Sequence, residues 1–343
     1  MREQNMRAMV SGAEMFTPAV ADRLFRANGD IQALRTYSSY LQEEDWEQID
    51  STVRTITKSR LTVVDDMRNM GLVNPINNLG VLLSKWYTQS DIGEATQSMD
   101  GRVRGDKSKI VYDVNYLPIP ITHADFQINW RDALARQNGS GAPLDTTTIA
   151  LSARRVAEKL EHVFLNGSDI TVNGNDIPGF LNHTKVMTGS VTDGWETSAT
   201  RDIVQDIVDM KQDLVDAGFP EMGPYNVYVS SLYSQYLDID LNDYKDKTYR
   251  KRIMEITGIN DVKTASKIPH SNQSGEDKDY VLMVYMGREN IVIDQAADIQ
   301  TVEWGGEGGF VKDYKVFSAM TLRMMPDMDD TLGVVVYSDS PDT

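Results

Sequence analysis

The four histidines, His123, His162, His183 and His270, are spread so widely that no two stand at metal-ligand spacing. His162 follows Glu161 on a helical stretch and reads as a helix-surface or core residue rather than a ligand. Cysteine is absent, which excludes disulfides, thiolate metal sites and cysteine nucleophiles. Neither G-x-S-x-G nor G-x-x-x-x-G-K-[ST] occurs. Gly305-Gly306-Glu307-Gly308-Gly309 lacks the Lys-Ser/Thr of a phosphate loop and lies between strand-like segments, so it reads as a connection. Paired acids such as Asp65-Asp66 and Asp329-Asp330 could serve a two-carboxylate hydrolase. In a chain with 51 acidic residues, however, such pairs arise as solvated faces. Asp238 to Asp240 lacks the spacing of a calcium loop. No enzyme, catalytic residue, cofactor or metal is expected.

The elements that would position any site are clearer. Asp145 to Gly167 reads as one amphipathic helix, with Ile149, Ala153, Val156, Ala157, Leu160, Val163 and Phe164 on one face. Asp145 suits the N-cap and Gly167 the C-terminal stop. At that length the helix is roughly 30 Å long, a spine on which a sheet can pack. Glu43 to Thr57 is a second amphipathic helix, with Trp46, Ile49, Val53 and Ile56 inward and acids in the first turn. Thr200 to Ala217 is a third, using Ile203, Val204, Ile207, Val208, Lys211, Leu214 and Val215, with Gly218 as its stop. A short helix over Pro18 to Gly29 is also expected.

Strands are expected around Gly80 to Gln89, Lys109 to Val114 and Ile121 to Trp130. In the last of these, Ile121, Phe126, Ile128 and Trp130 are candidate inward residues. Others are expected in Asn226 to Ser231, Val281 to Tyr285, Asn290 to Asp294 and the stretch from Gly309 to Tyr337. Asn173-Gly174 signals a turn. Residues 72–118 form a long two-stranded loop whose tip carries Arg102, Arg104, Lys107 and Lys109. Two readings of that tip stay open: an arm that docks on an acidic neighbour, or a solvated hairpin. Residues 1–43 likewise read either as an arm lying across a neighbour or as a loose terminus.

With 343 residues, 41% apolar and 8% aromatic, the chain can build two or three compact units. No apolar run approaches the ~18 residues of a transmembrane helix, and no secretory leader is expected. Lys and Arg total 34, giving a formal net charge of −17. That balance argues against a dedicated nucleic-acid binder and means that copies repel one another. Self-assembly would therefore need extensive contacts.

The order of segments resembles the major capsid proteins of tailed phages with the Hong Kong 97 (HK97-like) fold, and the related encapsulin shell proteins. The motifs that carry the resemblance are EEDWEQIDSTVRTI (43–56), YLPIPITHADFQINW (116–130), APLDTTTIALSARRVAEKLEHVFLNG (142–167), IPGFLNH (177–183), PYNVYVSSLYSQYLD (224–238), DYVLMVYMGRENIVIDQAADIQTVEW (279–304) and KVFSAMTLRMMPDMDDTLGVVVY (315–337). They span roughly residues 43 to 338 and keep the family's order.

The resemblance implies an α+β fold in six segments. These are an N-terminal arm (1–43), a P-domain helix (44–71), an E-loop (72–118), the P-domain with its spine helix (119–176), an A-domain (177–304) and P-domain closing strands (305–343). It implies a structural shell protein whose hexamers and pentamers tile an icosahedral head around double-stranded DNA, located in the virion capsid and assembled in the host cytoplasm. The DNA would be confined by the shell, not held by a basic surface. Possible partners are scaffold, portal and decoration proteins, with no membrane, and a scaffold is expected to be a separate or removed segment. The E-loop would reach over a neighbour, which favours docking by Arg102, Arg104, Lys107 and Lys109. Some relatives cross-link an E-loop lysine to a neighbour; Lys107 and Lys109 are the candidates, and no cross-link is expected. The alternative is an encapsulin-type compartment holding a cargo enzyme. The longer first 43 residues and the stretches at 168–199 and 242–278 depart from that pattern and favour the virus shell.

Overall fold

The computed structural model describes residues 43–76, 78–89, 99, 112–129, 146–191, 194–197, 203–240, 247–271, 278–305, 311–327 and 330–339. The expected helix over Pro18 to Gly29, the capping residue Asp145 and Trp130 lie outside them. In chain order, helices α1 (Glu43–Arg60) and α2 (Val63–Asn69) lead into strands β1 (Val73–Pro75), β2 (Leu83–Gln89), β3 (Tyr112–Pro118) and β4 (Ile121–Asn129). The spine helix α3 (Thr146–Asn166) follows, then β5 (Ser168–Val172), β6 (Asn175–Ile177) and β7 (Met187–Ser190). Next come α4 (Gly194–Thr197), α5 (Ile203–Asp216), β8 (Tyr225–Val229), α6 (Ser234–Leu237), α7 (Tyr249–Met254) and β9 (Ile259–Thr264). Strands β10 (Tyr280–Tyr285), β11 (Ile291–Gly305), β12 (Val311–Met324) and β13 (Val334–Ser338) close the chain.

The strands form a four-stranded sheet, β1-β11-β12-β4, a five-stranded sheet, β7-β13-β10-β8-β9, and two ribbons, β2-β3 and β5-β6. This is the mixed α+β architecture expected. The chain crosses between the sheets more often than a linear division suggests. Strand β11 falls in the 177–304 segment but for its last residue, yet pairs with β1 and β12, and β13 lies within 305–343 yet pairs with β10 and β7. The Asn290 to Asp294 strand also runs much further than its apolar core, to Gly305. It keeps its pairing with β12 through three register irregularities.

The spine helix buries the face its sequence predicts: Ile149, Ala153, Val156, Ala157, Leu160, Val163 and Phe164 are all buried. Each large apolar side chain so removed from water contributes roughly 1.5–3 kcal/mol. Helix α1 packs beside it, and Trp46 meets Tyr314 of β12 edge-on with ring centroids 5.9 Å apart. The helix end explains the IPGFLNH motif. The last carbonyls of a helix lack partners inside it. Here the N–H groups of Phe180 and Leu181 donate to Phe164 O and Leu165 O at 3.0 and 2.9 Å. The Asn182 amide donates to Asn166 O at 2.9 Å. Gly167 turns the chain at φ +76°, and a Cβ on the facing Gly179 would collide with Gly167 N and Leu165 O. The β5-β6 turn falls on Asn173 and Gly174, both at positive φ, as their pairing predicts.

Two expectations about inward residues change. Strand side chains alternate, so Ile121 and Phe126 cannot share a face without a bulge. Phe126 is buried, whereas Ile121 is 54% exposed on the opposite face. On α5 the buried row is Ile203, Ile207, Met210 and Leu214; Val208 is exposed.

The five-stranded sheet is apolar on both faces. Tyr228, Leu282, Val284, Val334 and Val336 join the core of the spine helix. Val227, Val229, Val281, Met283 and Val335 join α5. Short α2 links the spine to this sheet. The Glu161 carboxylate of α3 accepts the N–H groups of Thr62 and Val63, at 3.2 and 2.9 Å, where α2 begins. One turn on, Asp66 accepts the Tyr228 hydroxyl at 2.9 Å and the Lys263 ammonium at 2.5 Å.

Burial pushes the Glu161 carboxyl up to about 7, against the opposing pull of the Val63 and Thr62 N–H groups. Its other oxygen, Oε2, is buried without a hydrogen-bond partner. A carboxyl whose folded pKa lies above its unfolded value stabilises the fold below the unfolded pKa and loses that contribution as pH rises through the folded one. The stability contributed by protonated Glu161 is therefore complete below about pH 4.5 and lost through about pH 7, a change of roughly 3 kcal/mol. In urea denaturation across that window, Glu161→Gln should lose less stability with rising pH than the wild type. Parallel pH profiles would show that Glu161 does not titrate there.

Candidate intersubunit site

The β2-β3 ribbon is two-faced. Its register pairs Lys85 with Tyr116 and Tyr87 with Val114, and Tyr112 lies two residues before Val114, which places these five residues on one face. Ser84, Trp86, Asn115 and Leu117 occupy the other. The inner face is anchored: Ser84 and Leu117 are buried, and the Asn115 amide donates to the Thr88 hydroxyl at 3.1 Å. The outer face is apolar and open. Tyr87 and Tyr112 are each 60% exposed, Tyr116 44% and Val114 41%. The Lys85 ammonium sits 4.9 Å from the Tyr87 ring centroid, so the face combines aromatic surface with a cation.

Asp294 fixes the root of the ribbon. It directly follows the apolar stretch Ile291 to Ile293 of β11 and has no exposed surface. Its carboxylate accepts Asn74 Nδ2 of β1 at 2.7 Å and the Ser84 hydroxyl of β2 at 2.5 Å. Arg323 of β12 completes the set at 3.2 Å, and its guanidinium lies 5.8 Å from the Trp86 ring. A buried charge is tolerated only when paired and hydrogen-bonded, so these donors must stay together. The root is also tied through the Ile119 N–H to Leu82 O, at 3.0 Å.

The residues singled out by type do structural work where they are described. His183 Nδ1 accepts the Lys185 N–H at 3.1 Å, and burial, with Lys185 nearby, holds its pKa below the usual imidazole value. It lines a cleft of about 230 Å³ between the ribbon and the β5-β6 turn, with Asn115, Tyr116, Asp176 and Lys185. His123 lies on β4, and His162 on the spine helix is pushed down by burial, then by Lys159 and Lys267. Asp330 pairs with Lys185, and Asp238 takes two guanidinium contacts from Arg250, at 2.8 and 3.3 Å. Among the described residues no group of three or more His, Asp or Glu could hold a metal. No described helix is long and apolar enough to cross a membrane.

The tip cations Arg102, Arg104, Lys107 and Lys109 lie outside the described residues. What their charges drew attention away from is the aromatic face. Its signal is the alternation Tyr112-x-Val114-x-Tyr116, hidden by ending the strand at Val114 rather than Pro118. Asp294 was likewise legible as the acid that directly follows the apolar run Ile291 to Ile293.

Asp294→Ala would leave Arg323 buried without its carboxylate, and such losses cost about 3–5 kcal/mol. Urea denaturation should show a loss of that size, together with faster amide exchange at Ser84 to Trp86. A loss below about 1 kcal/mol would show that the ribbon root does not depend on it.

Comparison with curated protein sequences gives no match. Among solved structures, the virus-like particle from Pyrococcus furiosus is similar at a TM-score of 0.59 and 14% identity, over 86% of this chain and 99% of that one. The capsid of Myoviridae phage XM1 gives 0.57 at 14% identity, over 78% and 89%. The capsid of a native GTA particle gives 0.55 at 14%, over 82% and 91%. The fold is therefore the HK97-like capsid fold. Residues 35–287, most of the chain, match the family described as "Family of unknown function (DUF6260)", and the protein belongs to that family.

Proposed function

We propose that this chain is a major capsid protein, a structural subunit that assembles with copies of itself into the icosahedral shell of a tailed phage around double-stranded DNA. The observation that carries this is an HK97-like fold bearing a rigidly rooted ribbon whose outer face is aromatic and exposed. Large exposed apolar patches on a single chain mark interaction sites. Aromatic side chains are also the residues that most often dominate interfaces. Such contacts can outweigh the mutual repulsion of chains that each carry −17.

In this reading the four-stranded sheet with the spine helix is the peripheral domain, and the five-stranded sheet with α5 and α7 is the axial domain. The β2-β3 ribbon is the root of the E-loop, and residues 1–43 are the N-terminal arm. The ribbon lies over a neighbouring subunit in hexamers and pentamers. Tyr87, Tyr112, Val114 and Tyr116 supply buried contact, and Arg102, Arg104, Lys107 and Lys109 supply charge beyond it. The role is structural, in a virion assembled in the host cytoplasm, with scaffold, portal and decoration proteins as further partners. Lys107 and Lys109 form no cross-link.

A second reading, an encapsulin-type compartment around a cargo enzyme, is supported by the match over 99% of the Pyrococcus furiosus chain. Nucleic acid inside the particles separates the two.

Negative-stain microscopy of the protein, alone and with a candidate scaffold, should show closed shells or five- and six-fold rings. Only monomers or dimers under both conditions would contradict a shell role. Tyr87→Ser, Tyr112→Ser and Tyr116→Ser combined should change stability by no more than about 0.5 kcal/mol per site, because the rings are exposed. The same variant should lose assembly; shells of unchanged yield would remove the ribbon face from the interface.

A further inference from the structure

The solvent side of the spine helix has the opposite charge from the chain as a whole. Arg154, Arg155 and Lys159 project from α3, Lys58 and Arg60 from the end of α1 beside it, and Lys267 from the loop after β9. Arg155 is 79% exposed and Arg154 46%. Glu158 sits within this cluster. It accepts Arg154 at 2.6 Å and has Arg155 and Lys267 each at 3.8 Å. Arg154, then Lys267 and Arg60, hold its carboxyl below the usual range. Two further acids flank the stripe. Asp65 lies near Lys58 and Arg68, and Asp169 lies near His162. Around Glu158 alone, four cations, Arg154, Arg155, Lys267 and Arg60, meet one carboxylate, in a protein with 34 basic and 51 acidic residues. Across the five-stranded sheet, the exposed side of α5 has the reverse balance, with Asp209, Asp213 and Asp216 against Lys211.

We propose that this stripe is a phosphate-contacting surface that faces the enclosed nucleic acid, so that the spine helix forms part of the inner wall of the shell. The proposal rests on the capsid reading. It also replaces the expectation that no basic surface touches the DNA with a local one.

The chemistry favours a nucleic acid backbone over an acidic protein. A protein interface has an apolar centre, and the stripe carries one isolated exposed apolar side chain, Leu151. Phosphates need only cations, and arginine's planar fork suits them. Residues at i and i+4, such as Arg155 and Lys159, stand about 6 Å apart on one face, so they can meet separate phosphates along a strand. Contacts of this kind are independent of sequence and weaken steeply with salt. The high net negative charge of the chain keeps the attraction weak, as suits a lining over which long DNA must move.

The test is fluorescence anisotropy of the full-length protein with a labelled duplex of about 20 bp and random sequence, from low to moderate salt. Binding at low salt should follow a log-log salt slope of about −3. R154Q/R155Q/K159Q should weaken binding at least ~10-fold and flatten that slope, while K247Q/K251Q/R252Q, on and beside α7, should not. All six side chains lie at the surface, and circular dichroism would confirm that both variants fold. Wild type without binding at low salt, or a spine variant that binds as the wild type does, overturns the proposal. So does polyglutamate of equal charge displacing the duplex as readily as unlabelled DNA, which would assign the stripe to an acidic protein. Microscopy of the same samples separates the two claims. Shells without DNA binding leave the capsid reading standing and this one fallen; DNA binding without shells overturns the capsid reading and, with it, the place of the stripe on an inner wall, leaving only its phosphate contacts.

Discussion

One apolar stripe on one helix has to satisfy two sheets. The spine helix lays Ile149 to Phe164 against the four-stranded sheet, and the same continuous core takes in Tyr228, Leu282 and Val284 from the five-stranded sheet. Neither sheet has a complete core without it. The helix must therefore end where both sheets can reach it. Its last carbonyls are closed off by the backbone of Phe180 and Leu181 and by Asn182, which turns the chain toward the second sheet. Polar groups then set the angle between the parts. Glu161 holds the start of α2, and Asp66 on α2 holds Tyr228 and Lys263 of the five-stranded sheet.

The ribbon illustrates a division of labour between its two faces. A two-stranded ribbon is marginal alone in water. Here the inner face borrows rigidity from the sheet through Asp294, which gathers donors from β1, β2 and β12. The outer face is then free to carry Tyr87, Tyr112, Val114 and Tyr116 without a burial requirement inside the chain. Anchored and exposed side chains thus alternate along the same strands, as the period of two allows.

Much of this architecture is legible in local sequence patterns. The spine helix follows from a 3.6-residue period sustained over many turns, its end from Gly167, and the β5-β6 turn from Asn173-Gly174. The order of motifs is what indicates the HK97-like architecture. What is not legible depends on partners distant in sequence. Ile121 reads as apolar and therefore inward, but its parity is set by Phe126 and by pairing with β12. The length of β11 is set by β12, not by its own composition, which turns polar after Ile293. At the candidate site, charge at the tip is conspicuous and alternation at the root is not. Lys58, Arg60 and Lys267 become neighbours of Arg154 and Lys159 only when helix α1 and the loop after β9 fold against the spine.

The sheet topology also constrains when the protein can fold. Val73 pairs with Ile293, and Val335 pairs with Met187. Contacts between such remote positions make loop closure the slow step, because the entropy lost in bringing distant segments together precedes any gain from their pairing. Neither sheet can be completed until nearly all of these residues have been synthesised. The root of the ribbon waits as well, since Ser84 has no anchor before Asp294 exists. A nascent chain on the ribosome therefore cannot hold the ribbon in its final orientation. In a cell making many copies at once, late closure keeps the exposed aromatic face of the ribbon from taking its final orientation until the whole chain has been made.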